Sequence, residues 1–229
     1  MAHTITRVTT VPVESGGKIL DLNDDPVHPF IGKLDRLLEW LRTEIPVLEH
    51  FSFHVKTSNS FPHSTGIASS ASGLSAFTLC LLDIVTKASG VVVAWPDMQK
   101  MASFASRMGS GSACRSVYGG FTVWGETPLL PGSSDFFARE INDRIHPVFK
   151  TMRDAILVVS TAPKSMASSR GHALMEHHPF SEARISQAAF NLTACLAALE
   201  AGDINHLATV AENEALTLHS LIMTSGGGT

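Results

Sequence analysis

The chain has 229 residues, 44% of them hydrophobic, with 17 Lys plus Arg against 21 Asp plus Glu for a formal net charge of −4. That length supports one sizeable core or two small ones, and the acidic balance argues against a nucleic-acid binder, which needs a concentrated basic surface. Cys80, Cys114 and Cys195 match no metal-ligand spacing, and no run reaches the ~18 to 20 apolar residues of a membrane span, so a soluble protein is expected.

An odd cysteine count without a signal peptide fits a reducing cytoplasm. The opening run from Thr4 to Val13 is rich in β-branched residues with apolar side chains at alternate positions, which predicts a strand. Gly16-Gly17 reads as a hairpin turn into a second strand, Lys18 to Leu22. From Pro29 to Ile45 the period changes: Ile31, Leu34, Leu37, Leu38 and Leu41 share one helical face. Phe51 to Val55 returns to strand alternation. A Ser-rich loop then leads into an apolar helix from about Ala68 to Lys87, and Pro96 opens a further helix to Arg107. A Gly/Ser loop at Gly109 to Ser112 is followed by a strand from Tyr118 to Trp124. Beyond the Pro/Gly/Ser stretch at Thr127 to Ser134, a short strand is expected at 155–160. Helices follow at about Phe180 to Ala201 and Ile204 to Met223, with Ala201-Gly202-Asp203 as the break between them. The domain boundary is placed near residue 150.

Two loops carry the chemistry. The first runs Ser60-Phe61-Pro62-His63-Ser64-Thr65-Gly66-Ile67-Ala68-Ser69-Ser70-Ala71-Ser72-Gly73, between a strand and a helix. The first N–H groups of a helix have no internal partner and the helix dipole favours an anion there. Gly66 lets backbone approach phosphate oxygens, and the hydroxyls of Ser69 and Ser70 add donors. The plainer alternative is a serine-rich loop with an ordinary N-cap. The loop is neither the Gly-Lys-Ser/Thr P-loop nor a dinucleotide fingerprint. The second loop is Arg107-Met108-Gly109-Ser110-Gly111-Ser112-Ala113-Cys114-Arg115-Ser116. Ser110 and Ser112 on a glycine-rich turn are donors for a phosphate or diphosphate, and the planar fork of Arg115 matches a carboxylate or phosphate. Its plain alternative is a surface arginine in a salt bridge.

The first loop resembles the ATP-binding motif of the GHMP kinase superfamily, matched at Pro62, Gly66, Ser69, Ser70 and Ala71. The second resembles, nearly residue for residue, the segment that distinguishes the diphosphomevalonate decarboxylases within it. Asn59-Ser60-Phe61-Pro62, the loop Ser165 to Gly171 and the helix segment Glu212 to His219 are similar to further family segments, so the likeness runs from about residue 5 to 225. It implies an α+β, two-layer GHMP kinase fold. The N-terminal lobe, 1–150, would be ribosomal protein S5 domain 2-like and bind ATP; the C-terminal lobe, 151–229, would be helix-rich and ferredoxin-like. By resemblance Pro62, Gly66, Ala68, Ser69, Ser70, Ser168 and Ser169 hold ATP with Mg2+. Ser110, Gly111, Ser112 and Arg115 bind mevalonate 5-diphosphate, and Arg115 and Ser70 are the catalytic pair. The product would be isopentenyl diphosphate, and the family's homodimeric state is expected.

Among the 11 histidines, the adjacent His177-His178 lacks a third ligand at helical spacing, so no protein metal site is expected; His63 reads as a local hydrogen-bonding residue. Cys114 has no activating histidine nearby and reads as inert. The family's opening Lys-Tyr-Trp-Gly-Lys-like run and its late Asp-Ala-Gly-Pro-Asn-like loop have no counterpart in this sequence. None of Asp135, Asp143, Asp154 or Asp203 has the matching loop context. The expectation is therefore a chain truncated at both ends, holding much of the binding apparatus without the full catalytic set. Two alternatives stand beside the decarboxylase: a related enzyme acting on mevalonate or a monophosphate, and a non-catalytic nucleotide-binding remnant.

Overall fold

The computed structural model describes residues 2–61, 68–153, 155, 157, 171, 173–175 and 178–225. Contacts divide the chain into two compact units, Met1–Glu140 and Ile141–Thr229, where the sequence pattern placed the boundary near 150.

The first unit is built on a three-stranded sheet, β1 (Thr4–Pro12), β2 (Ile19–Leu22) and β3 (Phe51–Asn59), in the order β1-β3-β2. β1 pairs antiparallel with β3 from Thr4–Asn59 to Pro12–Phe51. Its half-buried residues Thr4, Thr6, Val8 and Thr10 lie on the side of helix α2 (Ser69–Ser89), while Ile5, Arg7, Thr9 and Val11 lie on the other face. The expected hairpin at Gly16-Gly17 does not form: β2 pairs with β3, in parallel, and not with β1. The glycines permit a close crossing instead. Gly17 donates its N–H to the Glu49 carbonyl (3.0 Å), and a Cβ placed on it would lie 1.8 Å from the Phe51 carbonyl oxygen. The chain thus passes over the start of β3 and emerges on its far side.

Helix α1 (Ile31–Glu44) buries Leu34, Leu37, Leu38 and Leu41, the expected stripe. It packs in one core with Phe53, Val55, Leu74, Phe77 and Leu81. α2 is apolar and long enough to cross a membrane by length and composition alone, yet Ala71, Leu74, Phe77, Leu81 and Leu82 are buried in the protein. Its hydropathy is that of a core helix. Helix α3 (Trp95–Gly109) carries Pro96 in its first turn, where the missing N–H costs no helical bond. The strand expected at Tyr118 to Trp124 shrinks to β4 (Thr122–Val123), paired with β5 (Arg139–Glu140). The segment before it stays coiled: Tyr118 N–H bonds back to the Arg115 carbonyl (3.2 Å), and Gly120 takes φ +69.

In the second unit, helices α4 (Ser181–Ala201) and α5 (Ile204–Thr224) fall where their periodicity placed them. Gly202 at φ +78 closes α4, and Asp203 caps α5 by accepting the His206 N–H at 2.9 Å. Arg184 pairs with Glu214, which also accepts from Asn191 Nδ2 (2.6 Å). Of the expected strand at 155–160 only Ala155 and Leu157 are described, and the described residues of this unit form helices and no strand.

Candidate active site

A cleft of about 540 Å3 opens in the first unit between the ends of β2 and β3 and the starts of α1 and α2. Ser69, Ser70 and Gly73 line it from the first turns of α2, Asn59 and Thr57 from β3, Asn23 from the turn after β2, and His28 and Lys33 from the start of α1. Two helix N-termini therefore meet at one cavity. Neither N-cap residue caps its helix with its side chain; at α1 the Ile31 and Lys33 N–H groups bond to the His28 and Phe30 carbonyls (2.9 and 3.0 Å) and the Phe30 N–H to His28 Nδ1 (3.1 Å), so it is the first turn of α2 that suits an anion. Lys33 adds a positive charge in a first turn, where the helix dipole disfavours it unless an anion is near.

α2 begins on Ala68 in the left-handed region (φ +48), and the Ala68 carbonyl takes the Ala71 and Ser72 N–H groups at 3.0 and 3.2 Å. This entrance is braced from the sheet: Thr4 Oγ1 donates to Asn59 Oδ1 (2.6 Å) and lies 2.8 Å from Ser72 Oγ. Ser72 Oγ in turn donates to the Ser69 carbonyl (3.1 Å).

The second loop is a short 3-10 turn, Gly111–Arg115, stacked on α2 and α3. Two buried serines hold it. Ser75 of α2 donates to the Ala113 carbonyl (2.7 Å), and Ser103 of α3 donates to the Cys114 carbonyl (2.8 Å). Ser75 stands less than two helical turns beyond Ser70, about 8 Å along the axis, so the two loops flank the same stretch of α2. Gly111 lies against Trp124, whose ring a Cβ would meet at 2.6 Å. Ser110 and Ser112 are half-buried and Arg115 is exposed. Among the described residues no ion pair involves Arg115. Cys114 is fully buried. Burial pushes its thiol pKa up, against the weaker opposing pull of Arg115 and Arg107, which leaves little thiolate to react.

Of the residues singled out from sequence, Ser69 and Ser70 line the cleft, and Ala68 is exposed at its rim. Ser110, Gly111, Ser112 and Arg115 stand together on the neighbouring turn and outside the cleft lining. Pro62, His63, Gly66, Ser168 and Ser169 lie outside the described residues. The sequence reading passed over Asn23, His28 and Lys33. Asn23-Asp24 does carry a turn signal, and both residues take positive φ (57 and 65). Asn23 Oδ1 accepts the Thr57 N–H at 2.8 Å, which fixes that corner of the cleft.

Comparison with known proteins places this architecture. The family model described as the diphosphomevalonate decarboxylase-like N-terminal domain matches residues 2–135, more than half of the chain. The chain is 31% identical over 192 residues to the diphosphomevalonate decarboxylase of Ganoderma lucidum, covering 83% of this chain and 45% of that protein. The mevalonate diphosphate decarboxylase structure from Legionella pneumophila superposes with a TM-score of 0.72 at 25% identity, over 95% of this chain and 66% of its own. MDDEF in complex with MVAPP, AMPPCP and magnesium shares the fold at a TM-score of 0.69 and 24% identity, over 96% and 64%. The chain spans less than half the length of the curated relatives it matches. The mixed α+β architecture, with its N-terminal β-sheet lobe and C-terminal helical lobe, is the GHMP kinase fold. By the match over residues 2–135, the chain belongs to the diphosphomevalonate decarboxylase-like family.

Proposed function

We propose that this protein catalyses the ATP-dependent decarboxylation of mevalonate 5-diphosphate to isopentenyl diphosphate, as a cytoplasmic homodimer of the mevalonate pathway. One observation carries the reading: the turn bearing Ser110, Ser112 and an exposed Arg115 is pinned beside the first turns of α2, where Ser69 and Ser70 line a cleft. That arrangement supports two anion sites side by side, one for a nucleoside triphosphate and one for a diphosphate with a carboxylate.

In this reading Ser69 and Ser70, with the N–H groups at the start of α2, hold the nucleotide phosphates, assisted by Pro62, Gly66, Ala68, Ser168 and Ser169. Ser70 also positions the phosphoryl group in transfer. Ser110, Gly111 and Ser112 hold the diphosphate of the substrate, and the Arg115 guanidinium pairs with its carboxylate. The hydroxyls, amides and Lys33 fit a polyphosphate. Among the described residues no cluster of three His, Cys, Asp or Glu forms a metal cage, so magnesium would be held chiefly by phosphate oxygens and water. Transfer of a phosphoryl group to the tertiary hydroxyl turns it into a leaving group. As that phosphate departs, the electron pair released by loss of carbon dioxide forms the carbon–carbon double bond. The protein's part is positioning and charge stabilisation.

The test is product formation from ATP and mevalonate 5-diphosphate by this chain and by Arg115→Ala. Isopentenyl diphosphate from the first, with turnover lowered about 10²- to 10³-fold in the second, supports the reading. Turnover of mevalonate or its monophosphate instead moves the protein to a related kinase activity. ATP binding without turnover of any of the three reduces it to a nucleotide-binding chain.

A further inference from the structure

Three short stretches of the chain fold into the same turn. In His28-Pro29-Phe30, His146-Pro147-Val148 and His178-Pro179-Phe180 the imidazole Nδ1 accepts the N–H two residues on, at 3.1, 3.2 and 3.1 Å. The carbonyl of the same histidine accepts the N–H three residues on, at 2.9, 3.0 and 2.9 Å. A ring nitrogen that accepts a hydrogen bond carries no proton, so in the neutral imidazole the other nitrogen, Nε2, is the donor. The turn at His178 bears this out. Its Nε2 lies 3.2 Å from Thr224 Oγ1, whose own proton goes to carbonyls of its helix (2.9 and 3.2 Å), so Nε2 donates. One nitrogen of the ring holds the chain, and the other is set as a donor.

At His28 that donor belongs to the cleft. His28 is half-buried and lines the cleft together with Leu22, Pro29 and Phe30, while Ser69 and Ser70 line it from α2. At about 540 Å3 the cleft has room for a drug-sized ligand and not only for a phosphate chain. Its two sides differ in chemistry. The hydroxyls and N–H groups of α2 suit phosphate oxygens, and Lys33, whose ammonium stands 5.6 Å from the Phe30 ring centre, adds charge. A neutral donor beside apolar side chains suits an uncharged acceptor instead, such as a purine ring nitrogen or a ribose oxygen. We propose that His28 is a nucleotide-binding residue, its Nε2–H donating to the nucleoside half of ATP while its Nδ1, through the Phe30 N–H, fixes the tautomer and the ring. This rests on the nucleotide reading of the cleft given above.

The experiment is calorimetric titration of the wild-type chain, His28→Asn and His28→Gln with magnesium ATP and, separately, with inorganic triphosphate, which lacks the nucleoside. In His28→Asn the amide oxygen takes the place of Nδ1 and keeps the Phe30 N–H bond, but the side chain is too short to reach where Nε2 stood. In His28→Gln the amide nitrogen reaches that position and the turn loses its acceptor. The dissociation constant of His28→Asn for ATP should rise about 2- to 10-fold, the worth of one neutral hydrogen bond, with triphosphate affinity and urea midpoint unchanged. His28→Gln should keep most of the ATP affinity while its urea midpoint falls. In the wild-type chain the His28 Nε2 resonance, followed by nitrogen NMR, should shift on adding ATP and stay in place on adding triphosphate. The proposal is overturned if His28→Asn binds ATP as the wild type does, if it weakens ATP and triphosphate alike, or if the ring proton resides on Nδ1. Should a variant fail to fold, the wild-type resonance decides by the same contrast. A wild-type chain that binds neither ligand defeats the nucleotide reading of the cleft, and this proposal with it; one that binds ATP with no role for His28 defeats the proposal alone.

Discussion

Ser103 is the strut on which the Arg115 turn depends, and its replacement by alanine isolates that dependence. The side chain is fully buried. Its Oγ donates to the Cys114 carbonyl at 2.8 Å and accepts the N–H of buried Ala138 at 2.8 Å. Ser103→Ala removes one small atom, so the cavity contributes little, but it strands a buried donor and a buried acceptor. At about 1–3 kcal/mol for each unsatisfied group, the loss is about 2–6 kcal/mol. Ser106→Ala is the matched control. Ser106 is as buried, one turn further along α3. It donates only to the Ser103 carbonyl (3.3 Å), which keeps its helical N–H partner, so about 1 kcal/mol or less is expected. Urea unfolding followed by tryptophan emission reads this unit alone, because Trp40, Trp95 and Trp124 all belong to Met1–Glu140. With a slope of about 1–3 kcal/mol per molar urea, the Ser103→Ala midpoint should drop by about 1 M or more. A drop no larger than that of Ser106→Ala would refute the strut.

Gly17→Ala puts a Cβ 1.8 Å from the Phe51 carbonyl oxygen; because backbone cannot yield as a side chain can, a loss above about 3 kcal/mol is expected, seen as a collapsed thermal transition. Gly111→Ala drives a Cβ to 2.6 Å from the Trp124 ring and pushes the indole from its bond to the Asp135 carbonyl (2.9 Å). The cost should be about 1–3 kcal/mol, with a shift in emission wavelength. Burial raises the thiol pKa of Cys80, Cys114 and Cys195 above the ordinary 9.0. Above pH 9 the unfolded chain therefore holds fewer protons than the folded one, and stability falls with rising pH. Urea midpoints should agree at pH 7 and 8 and decline beyond 9; a midpoint that rises there would contradict the burial of these thiols.

Local chemistry was legible where the cause is local. The leucine stripe of α1 needs only a 3.6-residue period, and Pro96 and Gly202 mark helix ends because each has a backbone constraint of its own. The two loops could be read as anion binders from hydroxyls, glycines and a planar cation, and the likeness to a family rested on the same residues. Strand pairing was not legible in this way. Gly16-Gly17 carries the signature of a reversal, and the same freedom from a side chain serves a crossing over Phe51. Only the position of β3 distinguishes the two, and β3 lies more than 30 residues on. The strand expected from Tyr118 failed for a related reason: its β-prone residues are held in a coil by the turn before them and by Gly120.

The cleft belongs to the same class. Lys33 and His28 are unremarkable in sequence, on a helix start with no motif, and join Ser69 and Ser70 only because α1 and α2 both begin at one end of the sheet. Ser75 and Ser103 read as ordinary polar residues within apolar helices, yet they bind the Arg115 turn to α2 and α3. Residue types and short-range periods determined which segments are helices and which loops can hold anions, since those depend on interactions within a few residues. Which loops face one another, which strand is left at the edge and which serines are buried were decided by the tertiary structure, because each depends on contacts between segments that the chain alone does not bring together.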